Sequence, residues 1–466
     1  MALYKLYTFT ERGSPTSLEC SSISNSWPPG YHFLLSLVFN LFGTSERAAF
    51  NLSLIFGLIS IFSLFASVLT ATKNQETSLW CAALLTFTPV FLKFSSTYSL
   101  EICSLALTLV TLWVLVTHCH AESWRTFLAL CLTFIFLSYI RPENLIIIGL
   151  TFGLLLAPEL VRRRPAYALI MIPGLFLLIP LALQMYYAFA YVKSPGWSIE
   201  PMSHLSYLQA QLLPNFLFFT SRLHPLSMTI LTIAGLAALL KDRTIHLRYY
   251  ILAFSLILIA VSMLLYSSYH VGNFMSRMDS ERYTLDIYLA ICILGGIGAE
   301  WALGMAKNAG ASIPFIKIKI SPKRLTASKS IATMIIILIL TWSAWGPLNI
   351  LISKTLDRPE YFEYLFIKSA DRQKLDRSLD VLCYSTPSKI ITLLGHKAMS
   401  MYCFRKSFLS REEIILFQDY EYNRNILGSK LEKELLKHFT ATPIEYRDFG
   451  RNRYAFYLLK RRTDAH

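Results

Sequence analysis

Apolar runs about as long as a bilayer is thick recur along most of this chain, and they restrict its fold more than any other feature. A helix needs roughly 20 mainly apolar residues to cross the hydrocarbon core. Ten stretches reach or approach that length, near 47–71, 79–95, 98–118, 125–140, 142–158, 166–190, 224–240, 249–269, 284–306 and 331–352. Of the 466 residues 54% are hydrophobic and 16% charged, where a soluble chain carries about a quarter charged. These values exclude an ordinary soluble enzyme, a disordered protein and a disulfide-stapled secreted domain. The eight cysteines show no CxxC or Cys/His zinc spacing. Residues 1–353 are expected to form an all-α polytopic membrane domain.

The net charge of +15 raises the question of nucleic acid, and its distribution answers it. Residues 1–353 hold 23 basic and 14 acidic side chains, and 354–466 hold 21 and 15. No concentrated basic face of the kind a nucleic-acid binder needs is present. Basic residues gather between spans instead, at Arg162–Arg164, at Lys241, Arg243 and Arg248, and from Lys307 to Lys329. Alternation of ten spans puts all three groups on one side, which the positive-inside rule makes cytoplasmic. The segments near 96, 141, 192–223 and 270–283, both termini and residues 354–466 are then expected outside. The first 26 residues are polar and irregular, unlike a signal peptide.

Residues 29–42 are apolar but too short to span, and they read as an interfacial helix. Pro28-Pro29 suits its first turn and Gly43 its stop. Beyond Lys354 the pattern is that of a small extracytoplasmic α/β domain, residues 354–466. Leu379–Tyr384 and Met399–Cys403 read as strands, Leu431–Phe439 as a helix, and Ile444–Tyr446 with Tyr454–Leu459 as a hairpin. Cys383 and Cys403 both fall in this region, as free buried thiols or as a disulfide.

No Walker loop, GxSxG, HExxH or GxGxxG occurs. The cysteine of His118-Cys119-His120 lies between histidines that would diverge on a helix, so the triplet is no ligand set. The informative residues are polar groups at the outer ends of spans, where ionisable side chains are costly and usually functional. Glu101 opens a span; it fits either a carboxylate that accepts from a sugar hydroxyl or helps hold a divalent ion, or an acid that complements the helix dipole beside a Ser99 cap. Arg141-Pro142-Glu143-Asn144 interrupts two apolar runs, with Arg141 free to meet a ligand or to pair with Glu143. His270, Arg277, Asp279, Glu281 and Arg282 precede another span, and arginines there suit a lipid phosphate or an interfacial anchor. Tyr283 fits a cavity wall or the aromatic belt. Trp27-Pro28-Pro29-Gly30-Tyr31 is a rigid, aromatic helix start.

In this order, these features resemble the GT-C class of multi-spanning glycosyltransferases, including protein O-mannosyltransferase-like and aminoarabinose-transferase-like enzymes. The resemblance rests on Pro28, Pro29, Tyr31, Leu41-Phe42-Gly43 and Arg47, then Thr88-Pro89 and Ser99-Leu100-Glu101, and later Ile140-Arg141-Pro142-Glu143 and Glu281-Arg282-Tyr283. It covers the chain in order, although each motif is short. The class also has a catalytic Asp after a first span, shortly before a helix that Ala2–Tyr7 resembles. The first span and that Asp are therefore expected to be missing here, with Glu11 and Glu19 the remaining acids of the segment.

The resemblance implies an inverting transferase whose donor is a polyprenyl-phosphate-linked sugar and whose acceptor hydroxyl belongs to a lipid, glycan or protein outside the inner (plasma) membrane. It implies a carboxylate as general base, for which Glu101, Glu19 and Glu11 are candidates. Arg282, Arg277 and Arg141 would hold the departing phosphate, with or without a divalent metal ion. Trp27, Tyr31, His270 and Tyr283 would line the cavity. Two other classes fit less closely. A lipid or solute transporter would show repeats and midplane polar residues, and a non-catalytic GT-C-like subunit would explain the missing Asp.

Overall fold

The computed structural model describes residues 30–43, 46–97, 100–121, 123–141, 205–241, 258–268, 280–311, 322–356, 359–371, 373–376, 378–383, 390, 394, 398–400, 411–419, 430–449 and 452–462. Helix α1 (Gly30–Phe42) is the short apolar helix expected after the proline pair. It ends at Gly43, whose φ of 81° is the left-handed stop that glycine adopts without strain. Phe33, Leu37, Leu41 and Phe42 are exposed while Tyr31 and Ser36 are buried, so one stripe of α1 packs and the other suits lipid.

Among the described residues four helices are long and apolar enough to cross a membrane. They contain Arg47–Thr72, Leu100–His118, Glu281–Met305 and Thr333–Ser353. They belong to α2 (Glu46–Thr72), α5 (Leu100–Ala121), α10 (Leu285–Ala311, with the turn before it) and α11 (Pro322–Leu356). Two further pairs of apolar helices are bent at a short break, and the expected spans 79–95 and 224–240 fall in them. Helices α3 (Gln75–Thr86) and α4 (Pro89–Ser95) meet at 68°, and α7 (Leu205–Phe218) with its π-turn Phe219–Leu223 meets α8 (Leu226–Lys241) at 106°. Helix α6 (Trp124–Ile140) is apolar but shorter than a span, and the described part of the expected span 249–269 is α9 (Leu258–Ser267). The expected spans at 142–158 and 166–190 lie outside the described residues.

Within the expected outer loop 192–223, residues 205–223 are helical in α7 and its π-turn, and 192–204 lie outside the described residues. Gln209, Gln211 and Asn215 interrupt the apolar run of α7 and Pro214 lies inside it, which lowers its hydropathy without preventing the helix. Asn215 is fully buried, and its amide donates to the Ser267 hydroxyl on α9 at 3.0 Å.

The membrane core gathers around α10, which packs on α8 and α3, while α2 packs on α5 and α5 on α6. The α8–α10 crossing depends on Gly235 and Gly298. A Cβ on the first would collide with the Leu294 carbonyl, and on the second with that of Leu231. Such close backbone approach is how helices associate where lipid removes the hydrophobic drive. By contrast α11 is mostly uncovered, exposing Met334, Leu338, Trp342 and Trp345, as expected for a span facing lipid.

Past α11 the chain forms α12 (Pro359–Ser369) and a five-stranded sheet of order β2-β1-β3-β5-β4. Strands β1 (Val381–Cys383), β2 (Ala398–Ser400) and β3 (Glu413–Gln418) are parallel. Strand β5 (Asn452–Arg461) runs antiparallel to both β3 and β4 (Phe439–Phe449). Phe366 of α12 stacks on Phe417 and Phe456 in a second hydrophobic core. The amphipathic helix α13 (Lys430–His438) leads straight into β4. Cys383 is buried in the sheet; Cys403, and the question of its pairing, lies outside the described residues.

Candidate functional site

Four elements bring charged side chains together at their ends: α4, the start of α5, the end of α6, and the 3₁₀ turn Ser280–Thr284 that opens α10. Glu101 lies in the first turn of α5, where a carboxylate complements the helix dipole. It also pairs across the fold. Arg282 Nε stands 3.2 Å from Glu101 Oε1. The proposed cap Ser99 lies outside the described residues.

Arg141 caps α6 in an extended conformation, φ −145° and ψ 123°, as Pro142 requires of the residue before it. Its guanidinium is nearly buried, 3% exposed, and lies 5.2 Å from the Tyr266 ring centre and 5.5 Å from that of Tyr283. Those two rings stack at 4.6 Å and 10°. Glu143 lies outside the described residues.

Tyr283 is buried, so it belongs to this stack and not to an aromatic belt. On it lies the Arg282 guanidinium, 5.1 Å from the ring centre, with Nη2 donating to the Tyr283 hydroxyl at 3.3 Å. Beneath, the Tyr266 hydroxyl donates to Asp286 Oδ2 at 3.2 Å. Beside it, Lys93 Nζ donates to Glu281 Oε1 at 2.8 Å. Three cations, Lys93, Arg141 and Arg282, are thus interleaved with three carboxylates, Glu101, Glu281 and Asp286. Of the six, Arg282 is the most accessible: its side chain is 34% exposed against 7% for Glu101. A partly exposed guanidinium with aromatic backing is suited to bidentate recognition of phosphate or carboxylate.

Tyr31 is buried against Leu52, Cys103 and Ile140, and so packs on the helices that carry Glu101 and Arg141. Gly30 lets this contact form, since a Cβ there would sit 2.6 Å from the Tyr139 carbonyl oxygen. The other candidates, Glu11, Glu19, Trp27, His270 and Arg277, lie outside the described residues. Sequence reading missed Lys93, Tyr266 and Asp286. Lys93 carried a signal, as a lone cation within an apolar run.

Among the described residues no three His, Cys, Asp or Glu side chains converge to hold a metal ion. The site's carboxylates are matched with cations and a phenol. His118 is bonded through Nδ1 to Thr126 Oγ1 at 2.8 Å, a contact between α5 and α6.

Residues 26–185 match the family model described as dolichyl-phosphate-mannose-protein mannosyltransferase. In fold the chain is similar to ArnT from Cupriavidus metallidurans bound to undecaprenyl phosphate, with a TM-score of 0.59 and 11% identity over 93% of this chain and 88% of that one. The apo state of the same protein gives 0.58 and 13% over 92% and 87%. No curated protein sequence matches the chain.

Proposed function

Given a multi-pass membrane chain with the GT-C glycosyltransferase fold, we propose that it transfers a sugar from a polyprenyl-phosphate donor to an acceptor hydroxyl, with inversion, on the extracytoplasmic side. The observation that carries this reading is Arg282. Among the described residues it is the most accessible cation of a buried cluster of three cations and three carboxylates at the ends of several apolar helices. A phosphate held at a lipid surface can reach such a group. The relative bound to undecaprenyl phosphate supports the same donor class.

In the reaction the acceptor oxygen attacks the anomeric carbon opposite the donor phosphate. The new C–O bond forms as the bond to the phosphate oxygen breaks. The phosphate leaves with the bonding electrons, and Arg282 offsets its growing charge by charge-assisted bonds. Arg141, held over the Tyr266 and Tyr283 rings, adds positive potential. The acceptor proton passes to a carboxylate, a general base typically contributing about 10²- to 10⁴-fold. Glu101, Glu11 and Glu19 are the candidate bases. Tyr31 and Tyr283 set the shape of the cavity wall, and residues 354–466 cover the cavity or select the acceptor.

Incubating the purified chain in lipid nanodiscs with a sugar-labelled polyprenyl phosphate and a cell-envelope extract tests the proposal. Label should move to an envelope acceptor while free polyprenyl phosphate accumulates. Donor that is bound but never consumed would instead support a non-catalytic subunit, and neither binding nor transfer would favour transport.

A further inference from the structure

Thr88-Pro89 divides what would otherwise be one span. Proline at the first position of α4 has no N–H to give the preceding turn, and the two halves bend by 68°. The bend places Lys93, in the last turn of α4, beside the 3₁₀ turn Ser280–Thr284. The ion pair that results is enclosed: Lys93 is 10% exposed and Glu281 not at all, with Nζ and Oε1 2.8 Å apart. The lysine stem also runs past the Phe94 ring, 5.2 Å from Nζ to its centre.

A charge at this depth is costly, and a leucine would pack against the same apolar neighbours. A buried pair is a weak source of stability, but removing one partner leaves an uncompensated buried charge, so the two hold to each other once formed. What it fixes here is the residue before Arg282. Glu281 is anchored at its backbone too, since its carbonyl accepts from the Thr284 hydroxyl at 2.7 Å.

We propose that Lys93 is a positioning residue for Arg282: with Glu281 it clasps the turn that presents the guanidinium, and so sets its reach to the donor phosphate. The inference rests on the donor-phosphate reading of Arg282 given above. Lys93 itself does not touch the donor, because its ammonium is enclosed and bonded to Glu281.

The test is steady-state kinetics with a sugar-linked polyprenyl phosphate donor, alongside equilibrium binding of polyprenyl phosphate, on the full chain in nanodiscs. Lys93→Met should lower kcat/KM for the donor by about tenfold to 100-fold, the loss expected when a group that stabilises the leaving phosphate is misplaced, and should weaken polyprenyl phosphate binding. Lys93→Arg should recover most of the loss, and the exchanged pair Lys93→Glu with Glu281→Lys should recover part of it. Simple loss of packing would not be rescued by reversing two buried charges. If Lys93→Met does not fold, the exchanged pair and the neutral pair Lys93→Gln with Glu281→Gln carry the comparison. Unchanged kcat/KM and donor binding in Lys93→Met or in the neutral pair, with binding lost in Arg282→Ala, would overturn the clasp and leave the donor reading standing. Unchanged binding in Arg282→Ala would overturn both.

Discussion

Arg282 Nε lies 3.2 Å from Glu101 Oε1, joining the turn before α10 to the first turn of α5. The pair is asymmetric: the carboxylate is buried and the guanidinium one-third exposed. An incoming phosphate meets the cation first and finds a fixed anion already beside it. At an effective dielectric of about 20, unit charges about 4 Å apart interact by about 4 kcal/mol. Competition between phosphate and Glu101 for Arg282 therefore matters as much as the attraction itself.

Glu101→Gln removes the competing charge and nearly keeps the shape. Binding of polyprenyl phosphate should tighten, by about threefold to tenfold, a fraction of the unscreened interaction. Turnover should fall by about 10²-fold or more, the loss expected for a general base. Equilibrium binding and single-turnover kinetics on the same preparation check the two signs separately. Weaker binding would mean that Glu101 serves chiefly to orient Arg282. Unchanged turnover would move the base to Glu11 or Glu19.

Arg141 should behave differently from Arg282, because it is enclosed by Tyr266 and Tyr283. A desolvated cation–π contact is worth about 2 kcal/mol. Arg141→Ala should therefore lower the unfolding temperature in detergent, with a destabilisation of about 2 kcal/mol or more, and weaken donor binding less than Arg282→Ala does. Thermal unfolding followed by intrinsic fluorescence, beside the binding measurement, would show which effect is larger. A stable Arg141→Ala variant with donor binding abolished would make Arg141 the direct phosphate ligand.

Orientation is open to a direct experiment. Cysteines introduced near Lys323 should resist a membrane-impermeant thiol reagent on intact cells, and cysteines near Lys430 should react. The reverse pattern would turn the whole arrangement over, placing the Arg282 cluster on the cytoplasmic side.

The membrane architecture was largely legible because span length is a one-dimensional property. Four long helices lie where the apolar runs placed them. Bends were less legible. Thr88-Pro89 stood out as a motif, but the direction in which it swings Lys93 depends on packing against α10 and α11. At the site, Glu101, Arg141 and Arg282 were visible as charges where charge is expensive. Their pairing was not, because Glu101 and Arg282 are far apart in sequence and nothing local couples them. Tyr283 was read as equally suited to a belt, since sequence does not say which ring will find another to stack on. In the C-terminal region the hairpin and α13 were legible from alternation and charge pattern. Strand β3 was missed because Ile414–Phe417 is buried on both faces, which erases the alternation that marks a half-buried strand.

The most direct measurement is equilibrium binding of a radiolabelled polyprenyl phosphate to the full chain in nanodiscs, for the parent, Arg282→Lys and Arg282→Ala. Lysine keeps the charge but loses the planar fork, so the account expects affinity to fall in that order. The full loss should be about tenfold to 100-fold, consistent with about 1.5–3 kcal/mol for a charged hydrogen bond. The three should also converge as salt is raised, since the difference is electrostatic. Equal affinities at low salt would contradict the account and leave Arg282 as an anchor at the membrane surface.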